Sequence, residues 1–295
     1  MKLLQTNSRA TCRAALLACI LFLLCSFSAA QMRLRMSTTT STENSGLLNV
    51  LLPPFEKDCN CKVDVISVGT GKALKLGESG DVDVVLVHAR ALEDKFVAGG
   101  FGVNRRDVMY NDFVIVGPAT DPADLKHATS AADAFRRVAT HGSLFISRGD
   151  GSGTEQKEKE IWDGARIVPS GSWYRSAGQG MGEVLNMATE LRAYTLADRG
   201  TYNAFRHGKT DLVILYQGPY NPAKKLSVSQ VLSMTGANGL FNPYSVIAVN
   251  PQKFPNVKFD LAMKFIDYIT GAKGQEIIAN YKPGGDPVFF IYQGK

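Results

Sequence analysis

Short strand-like and helix-like segments alternate along almost the whole chain, and this alternation limits the fold more than any other feature. Residues 63–68 switch between apolar and polar side chains as a half-buried strand does. Val84-Val85-Leu86-Val87 is a continuous apolar run, suited to a strand covered on both faces. Further strands are expected at 32–36, 113–116, 143–147, 212–216 and 244–249. Helical patterns fall at 45–57, 72–76, 91–98, 131–139, 155–163, 181–191 and 196–207, and two more, at 260–269 and 273–281, close the chain. Pro53-Pro54 is expected to bend or end the first of these helices. Strands that take turns with helices build βαβ units and mostly parallel sheets. The expected fold is therefore α/β with two lobes, 31–115 plus 242–295 and 116–241. The chain would cross between them near 112–117 and again near 241–245.

Residues 1–30 stand apart from this pattern. Lys2, Arg9 and Arg13 precede an apolar run, and Ser28-Ala29-Ala30 offers small residues for cleavage, so the segment reads as an export signal. The apolar run is shorter than the ~20 residues of a membrane span. The net charge of +6 shrinks accordingly: the leader holds three basic and no acidic residues, leaving +3. What remains has isolated basic pairs and no basic stripe, so nucleic acid is not an expected partner. Cys12, Cys19 and Cys25 lie in the leader. Cys59 and Cys61 stay, either paired in a tight ring or free, and two ligands do not complete a metal site.

Two segments have the chemistry of an anion site. Ser37-Thr38-Thr39-Thr40-Ser41-Thr42 joins the first strand to the first helix, placing hydroxyls and free backbone N–H groups beside a helix start. Thr40 with Glu43 also fits a capping box, but a cap needs one hydroxyl rather than six. Ser147-Arg148-Gly149-Asp150-Gly151-Ser152-Gly153-Thr154 again follows a strand and opens a helix. Its glycines permit close approach, and Arg148 brings a fork of N–H donors for an oxyanion. Ser152 with Glu155 is the competing cap, and Arg148-Gly149-Asp150 matches a cell-adhesion tripeptide too short to weigh much. Gly69-Thr70-Gly71-Lys72 looks like the end of a P-loop, but Ala73 stands where Ser or Thr should hold magnesium, so only a donor from Thr70 is expected.

These segments, together with Val87-His88 and residues 110–118 (YNDFVIVGP), resemble the periplasmic tungstate-binding proteins of ABC importers. The likeness runs from about residue 33 to 292. It implies a two-lobed type II periplasmic-binding-protein fold, each lobe a mostly parallel sheet flanked by helices, with a ligand cleft between the lobes. It also implies a periplasmic monomer that delivers tungstate or molybdate to a membrane permease, with no enzymatic activity and no cofactor. Metal would enter only as the centre of the bound oxyanion. Carried over by position, Arg148 and Thr154 would be direct ligands, with Thr38, Thr39, Thr40, Ser41 and Thr70 from the other lobe and Ser152 and Gly153 completing the second loop.

The donors themselves favour a fully deprotonated dianion, because each donates and Arg148 is the one cation among them. Hydrogen phosphate needs an acceptor for its own proton. Phosphate-binding proteins resemble this chain with Asp at the position of His88, although Asp150 or another carboxylate could substitute. Tungstate, molybdate and sulfate remain open on donor inventory, and the resemblance favours tungstate. A phosphate- or sulfate-binding importer component is the alternative within binding proteins. A secreted hydrolase is the alternative in kind, weakened because Gly149–Gly153 is out of register with a nucleophile elbow.

Overall fold

The computed structural model describes residues 31–218, 225–235, 239–285 and 287–294. The leader expected at 1–30 lies outside them. The first half runs β1 (Met32–Thr39), α1 (Thr40–Asn44), α2 (Leu48–Cys59), β2 (Cys61–Val68), α3 (Thr70–Glu78), β3 (Val84–Val87), α4 (Arg90–Ala98) and β4 (Gly102–Gly117). It continues through α5 (Ala131–His141), β5 (Phe145–Ser147), α6 (Gly153–Ala165), β6 (Tyr174–Ser176), α7 (Met181–Leu191), β7 (Thr195–Asp198) and α8 (Arg199–Lys209). β8 (Val213–Gln217), α9 (Val228–Ser233), β9 (Phe241–Val249), α10 (Phe259–Thr270) and α11 (Ala272–Asn280) complete it.

The spine is β4. Its first part pairs with β9, from Gly102 opposite Val249 to Asp112 opposite Phe241. From Phe113 onward its partners are β7 on one edge and β8 on the other. The main sheet has the order β2-β1-β3-β9-β4-β7, with β8 also on β4. Packing changes at the same place along β4. Val108 and Met109 belong to a core with Leu34, Met36, Phe55, Val246 and Phe265, whereas Phe113 and Ile115 join Phe135, Phe145, Trp162 and Leu196. Val114 and Val116 face the opposite side, against Ile146, Val184 and Leu185. β3 divides likewise: Val84 and Leu86 point one way, Val85 and Val87 the other toward Phe96. An apolar run at every position is what a strand covered on both faces requires. Residues 33–295 nonetheless group as one compact unit.

Three expectations change. The main sheet is mixed rather than mostly parallel: β1–β3 is parallel, but β3–β9 and all the pairings of β4 are antiparallel, while β5–β6 form a separate two-stranded parallel sheet. β4 and β9 run side by side in opposite directions, which sets these orientations. Residues 196–198, expected in a helix, are strand, because Thr195–Asp198 pairs with Val116–Phe113. Pro53 and Pro54 do not end their helix but sit inside α2. The carbonyls that their missing N–H groups would have met belong to Asn49 and Val50, both exposed to water, while Leu48, Leu51, Leu52 and Phe55 anchor the other face. Cys59 and Cys61, whose state the sequence left open, form a disulfide across Asn60, which adopts φ 50° between α2 and β2.

Candidate functional site

The carboxyl ends of β1, β3, β5 and β7 lead into loops that meet in the interior. β1 ends at Thr39, whose side chain caps α1 by accepting from the Thr42 N–H. β5 ends at Ser147, and the loop that follows opens α6, with Ser152 accepting from the Glu155 N–H. Glycine permits the fold of this loop. Gly149 has φ +61°, and a Cβ there would overlap Ser176 Oγ at 1.8 Å. The Gly69 loop packs directly on it, since a Cβ on Gly69 would stand 2.8 Å from the Asp150 carbonyl oxygen. Two hydrogen bonds join these loops: Gly153 N–H donates to Thr70 Oγ1 at 2.9 Å, and Gly71 N–H donates to the Gly151 carbonyl at 3.3 Å.

Arg148 occupies the centre, with only 1% of its surface exposed. Nη2 donates to Thr40 Oγ1 at 2.8 Å and to Asp150 at 2.5 Å, and Nη1 donates to Thr154 Oγ1 at 3.4 Å. Its Nε is buried and has no partner. A buried guanidinium with a donor to spare costs free energy unless an acceptor reaches it. Its burial also removes the adhesion-tripeptide reading. The N-termini of α3, α6 and α8 approach the same region, through Thr70, Gly153 and Asp198, and helix starts carry partial positive charge.

The hydroxyl row divides by role. Thr40 alone of the row accepts from Arg148. Thr38 turns into the sheet and donates to the Leu86 carbonyl at 2.8 Å, and Ser152 is spent on its cap. Thr39 and Ser41 each lie 3.0 Å from His88 Nε2. His88 Nδ1 faces Asn242 Oδ1 at 3.0 Å and therefore donates, so Nε2 accepts from the two hydroxyls. Burial pushes the His88 pKa down to about 4, and the ring stacks on Tyr244 at 4.6 Å. Asn242 passes the chain on, donating to Asn111 Oδ1 at 2.8 Å. The imidazole is thus a neutral strut between β3, α1 and β9.

Asp198, Asn111, Asn242 and Arg199 are additional polar residues of this interior that sequence reasoning did not single out. Arg199 makes a buried two-point pair with Asp112 at 2.6 and 2.7 Å. Asn111 and Asp112 lie inside the motif at 110–118, so a signal existed for them. Asp198 carries no such signal, because residues 196–207 have a helical pattern. A cavity of about 250 Å³ adjoins the junction, lined by His88, Gly153, Lys157, Phe241 and Asn242 among others. Arg148 and Thr40 do not line it. Among the described residues no cluster of His, Cys, Asp and Glu is placed to hold a bare metal ion.

The family model of the PBP superfamily domain, the periplasmic-binding-protein fold, matches residues 28–273. The chain belongs to the PBP superfamily. Among solved members it is similar to the tungstate ABC transporter protein from Geobacter sulfurreducens, at 64% identity and TM-score 0.73, covering 84% of this chain and 98% of that one. It is 44% identical over 258 residues to the tungstate-binding protein TupA of Peptoclostridium acidaminophilum, covering 86% of this chain and 84% of the relative. It is 39% identical to the TupA of Campylobacter jejuni, over 85% and 88% of the two chains. In this PBP-superfamily chain the strand-end loops that converge on Arg148 are the candidate site.

Proposed function

We propose that this protein binds a tetrahedral oxyanion dianion, tungstate with molybdate as its near-isostere, and delivers it to the membrane permease of an ABC importer without transforming it. The observation that carries the reading is Arg148: a buried guanidinium, tied to Thr40 from a segment 108 residues away, with an unused Nε donor. An anion reaching it would accept from Arg148, Thr40 and Thr154, with Thr70 and the Gly153 N–H alongside. Thr39 and Ser41 act through His88. Thr38 and Ser152 shape the two loops instead of touching the ligand. The names of the similar proteins support tungstate over sulfate or phosphate.

Two lobes, 31–115 plus 242–295 and 116–241, would close on the ligand by bending β4 and β9 where the core changes at Asp112 and Phe113. The protein acts as an exported, periplasmic monomer once residues 1–30 are removed. Calorimetric titration of residues 31–295 with tungstate, molybdate, sulfate and phosphate tests the ligand class. Tight binding of tungstate and molybdate, with weak or absent binding of the other two, is expected. Tight phosphate binding without a tungstate response overturns it.

A further inference from the structure

Asp198 stands at the end of β7 as the N-cap of α8. Its Oδ1 accepts from the Thr201 N–H at 2.8 Å. Its Oδ2 is buried and has no partner, and the residue as a whole is 0% exposed. Arg148 lies near enough for its charge to act on this carboxyl, yet no hydrogen bond or ion pair joins them. Two buried groups of this interior, Arg148 Nε and Asp198 Oδ2, each lack a partner. A ligand that reaches both would satisfy them, and each unmet polar group costs about 1–3 kcal/mol.

We propose that Asp198 is a binding residue for the oxyanion, meeting it as a neutral carboxylic acid whose Oδ2–H donates to an anion oxygen opposite Arg148. This rests on the oxyanion reading of the Arg148 site. A carboxylate at the same place would turn a full negative charge on a dianion, whereas the acid adds one more donor to a set made of donors. Desolvation raises the pKa of this carboxyl, in the direction the neutral form requires. The Thr201 hydrogen bonds and the charge of Arg148 act the other way, but burial outweighs them. Tyr244 from β9 is held neutral by burial, His88 at the end of β3 is neutral, and the negative Asp112 of β4 is already paired with Arg199 of α8. α1 contributes only the Ser41 carbonyl, which accepts from Thr201. The consequence is proton-coupled binding: when the free carboxyl ionises, the anion can enter only with a proton returned to Oδ2.

Asp198→Asn separates this from alternatives. The amide oxygen keeps the helix cap, and Nδ2 supplies a donor that never titrates. Tungstate affinity is measured for both proteins from about pH 7 to about pH 10, where the ligand is a simple dianion. Wild-type affinity should fall toward tenfold per pH unit above the carboxyl's free pKa, with uptake approaching one proton per anion by calorimetry in two buffers. The variant should stay within roughly threefold of neutral wild type across the range, with no Asp198-linked proton uptake. A variant that follows the wild-type slope overturns the proposal. So does a folded variant whose binding drops by more than about 100-fold at neutral pH, or a wild type whose affinity falls with pH while no proton is taken up. If the wild type binds neither tungstate nor molybdate at neutral pH, the ligand reading itself fails, an outcome distinct from equal slopes in two proteins that both bind.

Discussion

Replacing Arg148 is the perturbation with the largest worked consequence. Its guanidinium makes three hydrogen bonds, to Thr40, Asp150 and Thr154, and has Nε free. When an anion binds, at least two N–H donors of this fork would turn to it. Each charge-assisted bond is worth about 1.5–3 kcal/mol, so Arg148→Ala should lose about 3–6 kcal/mol, or roughly 10²–10⁴-fold in tungstate affinity. Arg148→Lys keeps the charge but offers a compact ammonium, and should recover only part of that loss. Because the side chain is buried, the variants must first be shown to unfold cooperatively. Calorimetry then gives the affinity, and the ligand-induced rise in Tm checks it independently. A folded Arg148→Ala protein binding tungstate within about threefold of wild type would refute the reasoning, because Arg199, the other buried arginine of this interior, is already paired with Asp112.

Other perturbations have smaller, separable outcomes. Thr70→Val leaves the buried Gly153 N–H without its acceptor and should weaken binding by roughly tenfold, seen as faster tungstate release in stopped-flow fluorescence. His88 has a folded pKa of about 4 against 6.5 unfolded, so it costs stability as pH falls through that window, up to about 3 kcal/mol. His88→Gln should lose that acid-side slope, as read from urea midpoints near pH 7 and pH 4.5. An unchanged slope would remove the neutral-strut role. Replacing Cys59 and Cys61 together by Ser opens a ring across one residue and should cost about 2 kcal/mol and a few degrees of Tm, leaving tungstate affinity intact.

What the sequence disclosed was the chemistry held in short stretches. Val84–Val87 showed a two-sided strand because each of its four residues is apolar. The loops at Thr38–Ser41 and Arg148–Thr154 were visible because hydroxyls and glycines beside a strand end are a local signal. The first part of β4 was not, since Asn104-Arg105-Arg106-Asp107 is polar and its register with β9 shifts twice. Thr195–Asp198 contains good helix formers and becomes strand only by pairing with β4, a partner about 80 residues away. The mixed orientation of the sheet is likewise a property of distant pairings. Within the site, six neighbouring hydroxyls looked equivalent, and only the fold separates Thr40 on Arg148 from Thr38 on the sheet. The buried set of His88, Asn111, Asn242 and Asp198 comes from four strands and has no sequence spacing to betray it.

The central claim is that the oxyanion sits against Arg148 where the strand-end loops meet. Anomalous scattering from a tungstate co-crystal tests this most directly, because tungsten marks its own position. The expected result is one strong peak within hydrogen-bonding range of the Arg148 guanidinium, about 4 Å from its nitrogens, with the Thr40 and Thr154 hydroxyls turned toward the anion. A tungsten peak in the cavity beside Lys157 and Phe241, away from Arg148, would contradict it.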